Sequence, residues 1–84
     1  MKEQDLIDLG FEKIDISAEE SGDEAYYYYD YMFNEDFLLI SCASDEVAVD
    51  GWSWFVEIFD YSDIRFYDKE DVKTFIDLIN RNKI

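Results

Sequence analysis

The chain has 84 residues, 22 acidic against 7 basic, and a formal charge of −15 with no histidine. That length makes one domain, residues 1–84. The charge repels nucleic acid and anionic membranes, the missing histidine excludes a His-based triad or His metal site, and a single Cys42 excludes an intrachain disulfide. Seven Phe, seven Tyr and two Trp set the chain apart from a disordered acidic tail, which is poor in aromatics.

Residues 3–9, EQDLIDL, predict a short N-terminal helix, with Gly10 as its stop. Residues 11–17, FEKIDIS, predict a strand with Ile14 and Ile16 pointing inward. Residues 18–24, AEESGDE, hold four acids with Ser-Gly-Asp turn chemistry and predict a turn or loop. Residues 25–33, AYYYYDYMF, carry five tyrosines and predict a strand, since tyrosine favours strand over helix. Its alternation divides Tyr27, Tyr29, Tyr31 and Phe33 from Tyr26, Tyr28, Asp30 and Met32. Either set is compatible with facing a helix. Asn34, Glu35 and Asp36 make the next turn.

Residues 37–43, FLLISCA, are apolar almost throughout and predict a central strand, burying Cys42 as a structural thiol. Residues 44–51, SDEVAVDG, are expected to be an acidic connection. Residues 52–61, WSWFVEIFDY, predict a fourth strand with Trp52, Trp54, Val56 and Ile58 on one face and Ser53, Phe55, Glu57, Phe59 and Tyr61 on the other. Residues 64–67, IRFY, suit an edge strand or an extended lead-in. From 68 to 81 the pattern is helical: Asp68 as N-cap, Asp71 three residues on, and an apolar stripe of Val72, Phe75, Ile76 and Ile79. The expected fold class is therefore α+β, about four mostly antiparallel strands in a meander, with the C-terminal helix on one face and a short N-terminal helix. The rings outnumber what one small core takes in, so some are expected at the surface beside carboxylates.

Candidate chemistry is sparse. Cys42 has no His partner, no phosphate-cradling glycine loop is present, and carboxylate pairs are expected by chance among 22 acids. Residues 46–57 place Asp50, Gly51 and Glu57 as a calcium loop would, but Glu46 and Ala48 break the ligand pattern. Weak calcium binding at acidic loops is the most this supports, and no cofactor is expected. A non-catalytic protein is the reading that follows. Tyrosines supply rigid, amphipathic contact area, and carboxylates steer a basic partner. The expected contact residues are Tyr26, Tyr28, Asp30 and Tyr31, with Glu19, Glu20, Asp23, Glu24, Asp45, Glu46 and Asp50 around them.

The expected partner is a basic protein surface, such as a nuclease or a CRISPR or restriction effector, bound without direct contact to nucleic acid or membrane. That makes the protein an inhibitor of the phage anti-defence type, with DNA mimicry as one mode. The alternatives are a toxin-immunity protein, a homodimeric structural module, or a small-molecule binder using an aromatic sheet face. The N-terminal MKEQDLIDLG has no long apolar stretch, no window approaches the ~20 residues of a membrane span, and the lone cysteine suits a reducing compartment. A cytoplasmic location is expected.

Overall fold

The computed structural model describes residues 1–50 and 53–84, with residues 48–50 described by their backbone. Its elements run α1 (Glu3–Asp8), β1 (Glu12–Ile16), α2 (Ala18–Ser21), β2 (Tyr26–Met32), β3 (Leu38–Ser41), α3 (Ser44–Asp50), β4 (Val56–Ile58), β5 (Tyr61–Phe66) and α4 (Lys69–Arg81). The five strands form one antiparallel sheet in the order β1-β2-β3-β4-β5. The expected meander is present with one strand more than four, because residues 61–66 complete it as β5.

Local chemistry sets the boundaries. Gly10, at φ +92°, ends α1. There the Phe11 amide donates to the Leu6 carbonyl and the Gly10 amide to that of Ile7, a left-handed helix stop that only glycine adopts without strain. Phe11 and Leu6 are both buried, so the stop also carries an apolar contact. The turn after β2 is built by Asn34, whose Oδ1 accepts from the amides of Asp36 and Phe37 at 2.8 and 2.9 Å. Asp68 caps α4 by accepting from the Glu70 amide at 2.8 Å.

Four expectations need correction. The acidic segment 18–24 contains α2, one helical turn started by Ser17, whose Oγ accepts from the Glu20 amide, and stopped by Gly22 at φ +76°. The connection 44–51 contains α3: Ala and Glu are good helix formers, and Asp45 and Glu46 suit a helix N-terminus. The long fourth strand is three residues, because the chain reverses at Phe59-Asp60, where Asp60 takes φ +71°. Tyr61 therefore opens β5. Trp52 lies outside the described residues, while Trp54, Val56 and Ile58 do face away from Phe55 and Glu57.

The last correction concerns β1. Ile14 and Ile16 pair with Tyr28 and Tyr26, so they share the face opposite the helices, where they are half-buried. The inward β1 anchor is Phe11, just before the strand, tilted against Tyr31 at 5.6 Å.

Both α1 and α4 lie on one face of the sheet. Leu6 from α1 and Val72 and Ile76 from α4 join Tyr29, Phe33, Leu39, Trp54 and Val56 in one buried cluster. Leu6, Leu39, Val56 and Val72 are fully buried, each stabilising the fold by roughly 1.5–3 kcal/mol relative to exposure. The helices are also tied together, Lys69 Nζ lying 3.7 Å from Asp5 and 3.5 Å from Asp8. These pairs are half-exposed and contribute little.

Candidate functional site

The tyrosine strand is divided by its alternation, and the helices decide which half is core. Tyr27, Tyr29 and Tyr31 lie under α1 and α4. The hydroxyls of Tyr27 and Tyr29 both donate to Glu3 of α1, at 3.1 and 2.5 Å. Burial, then the Glu3 carboxylate, raises the pKa of both phenols, which stay protonated donors. The Tyr31 hydroxyl accepts from Asn80 Nδ2 of α4 at 3.0 Å. Tyr27 also stacks on Trp54 at 6.1 Å, with Lys13 Nζ 4.2 Å from its ring centroid.

The other half looks outward. Tyr26 and Tyr28 line an open groove of about 550 Å³ on the face opposite α1 and α4, together with Ile40, Cys42, Phe55, Glu57, Arg65 and Glu46 of α3. The strand register explains the assembly. Ile40 stands opposite Asp30 on one side and Glu57 on the other, and Glu57 stands opposite Arg65. Arg65 Nε is 2.8 Å from Glu57 Oε1, and its guanidinium lies 4.5 Å from the Phe55 ring centroid. Arg65, which lines the groove, is thus matched by a carboxylate, and Glu46 leaves the groove acidic.

The acidity continues along β1 and β2. Glu12 and Asp30 stand directly opposite each other, an arrangement of like charges that costs stability. Burial, reinforced by Glu12, raises the pKa of Asp30. Burial and then Asp30 raise that of Tyr28. Cys42 sits at the groove floor, 5% exposed, with its thiol pushed up by burial and hence a poor nucleophile.

The expected contact residues fall into three groups. Tyr26, Tyr28 and Asp30 share the open face. Tyr31 lies on the opposite face, half-buried, its hydroxyl accepting from Asn80 Nδ2 of α4. The acids gather at one end of the sheet, because in an antiparallel meander the first and third connections leave by the same end. The first carries Glu19 and Glu20 in α2 with Asp23 and Glu24 after it, and the third carries Asp45 and Glu46 in α3. Asp50 closes α3, and its side chain lies outside the described residues. Glu12, Glu57 and Arg65 were not among the expected contact residues. Alternation along 52–61 already placed Glu57 beside Phe55, but only pairing brings Arg65 to them.

Among the described residues, no group of three His, Cys, Asp or Glu side chains is placed to hold a metal ion, and no helix is long and apolar enough to cross a membrane. Compared with protein-family models, curated proteins and solved structures, the chain matches none.

Proposed function

We propose that the protein is a non-catalytic inhibitor that docks the sheet face opposite α1 and α4 on a basic protein surface. The observation that carries this reading is the groove itself: outward Tyr26 and Tyr28 beside a buried Phe55, lined by Glu46 and Glu57, with Asp30 paired to the groove's Ile40, in a chain of charge −15. Aromatic anchors exclude water at the centre of an interface, and carboxylates around them receive Arg and Lys through charge-assisted hydrogen bonds. Basic surfaces of this kind belong to proteins that handle nucleic acid, so the target class is a nuclease or a CRISPR or restriction effector. The acids at one sheet end, on α2, its following turn and α3, would take the place of nucleic-acid phosphates if the protein acts as a DNA mimic. A toxin nuclease neutralised in the same way is the nearest alternative target.

The test is a pull-down from host lysate at low and high salt, run in parallel with the native chain, the double variant Tyr26→Ala/Tyr28→Ala and the control Tyr31→Phe. The expected result is a basic nucleic-acid enzyme captured at low salt by the native chain and by Tyr31→Phe, lost at high salt, lost with the double variant, and inhibited in a cleavage assay. Equal capture by the double variant, with its fold intact by circular dichroism, sinks the groove as the docking site.

A second reading rests on the groove volume of about 550 Å³, which lies within the range of small-molecule pockets. It calls for ligand-dependent thermal stabilisation that the double variant abolishes.

A further inference from the structure

We propose that β5 is a homodimerisation edge, pairing antiparallel with the β5 of a second copy about a twofold axis at Ile64. The strand ends the sheet, and five of its six residues are exposed. A long exposed edge is a template for another strand unless its chemistry prevents pairing.

The occupant follows from charge. Residues 1–63 hold 18 acids against Lys2 and Lys13, a net of −16, and repel a second copy. Residues 64–84 hold four acids and five bases, a net of +1. The same end of the chain carries the exposed apolar side chains. Of eight large hydrophobics exposed among the described residues, six fall in 59–84: Phe59, Tyr61, Ile64, Tyr67, Leu78 and Ile84. Of these, Tyr61 and Ile64 lie on β5 itself and Tyr67 directly follows it, so the edge combines local charge balance with exposed apolar side chains.

The register is selected by two charges. With Ile64 opposite its own copy, Asp63 faces Arg65 in both halves, and Tyr61 faces Tyr67. Opposite charges and aromatic pairs directly across strands are stabilising. Continuing the faces of both sheets allows only shifts by two residues. One such shift sets Asp63 against Asp63, the other Arg65 against Arg65, and both are destabilising. Arg65 meets Glu57 on its β4 side and, in the dimer, Asp63 of the second copy on the other, which its forked guanidinium accommodates. The result is a continuous sheet of ten strands, twice the five of one chain, with both open grooves on one face.

The dimer does not depend on the proposed inhibitor function, and salt separates the two. Screening relieves the repulsion between two acidic chains, so salt strengthens the dimer, whereas it weakens binding to a basic partner. Sedimentation equilibrium of the full chain across a salt series is the measurement. The expected result is a reversible dimer, tighter at higher salt. Asp63→Arg and Arg65→Asp each turn two attractive pairs into repulsive ones and raise the dissociation constant on the order of tenfold or more. Mixing the two variants restores a dimer, because each supplies the charge the other lacks. Asp63 is exposed, so Asp63→Arg keeps the fold, which a circular dichroism melt verifies. A native chain that stays monomeric at high salt overturns the proposal. So does a dimer unaffected by Asp63→Arg, or a mixture that stays monomeric.

Discussion

Glu3 shows how one side chain decides the fate of two others. It accepts from both Tyr27 and Tyr29 across the join between α1 and the sheet, and Tyr29 is almost fully buried. Replacing Glu3 with Ala leaves the Tyr29 hydroxyl without its acceptor, at a cost of about 1–3 kcal/mol in urea unfolding. In a Tyr29→Phe background the same replacement costs less, and equal costs in both backgrounds refute the link. Asp30 behaves oppositely. Its pKa is raised by burial and by Glu12, so the native state holds a proton there more tightly than the unfolded chain does. Its ionised form therefore destabilises the fold above the native pKa, and that penalty disappears as the pH falls below the ordinary carboxylate value. Asp30→Asn is expected to stabilise the protein at pH 7 and to lose the advantage in strong acid. A stability difference that grows on acidification contradicts this.

Elements depend on their ends and on the stripe they bury. The stop of α1 uses Gly10 at φ +92°, where a Cβ would stand 3.7 Å from the Tyr31 ring, an ordinary contact. Gly10→Ala is therefore a backbone penalty and not a clash, expected at about 1–2 kcal/mol by thermal or urea unfolding. A change several times larger would mean that the neighbouring ring had been displaced as well. Val72 at the centre of the α4 stripe is fully buried. Val72→Ala removes packing that holds the helix on the sheet, at a cost of about 2 kcal/mol. The helical stripe and its cap at Asp68 were legible because they repeat locally. The short α3 was not, because seven residues rich in acid read equally well as a solvated loop, and the contacts that hold it come from elsewhere, such as the Tyr27 amide donating to Ser44 Oγ at 3.0 Å.

The whole molecule carries −15 in a compact shape with a radius of gyration of 13.2 Å. Self-repulsion at that charge opposes folding. The melting temperature is therefore expected to rise with sodium chloride, most steeply at low ionic strength where the screening length changes most. A melting temperature independent of salt would show that the carboxylates are already neutralised by local partners. The distribution matters as much as the sum. Meander topology sends the first and third connections, with Glu19, Glu20, Asp23, Glu24, Asp45 and Glu46, to one end, while β5 and α4 are near-neutral.

Composition, alternation and helical period were enough for an acidic, aromatic α+β domain, a tyrosine strand of two unlike faces and a capped C-terminal helix, because each is a property of neighbours in sequence. Tertiary structure decided the rest. Tyr31 packs against the core because α4 covers its face, and Ile14 and Ile16 do not because β1 enters the sheet with Phe11 turned inward. The groove exists because register brings Tyr28, Ile40, Glu57 and Arg65 together from four strands. A two-residue alternation divides side chains into faces, but only long-range pairing says which face a helix will cover.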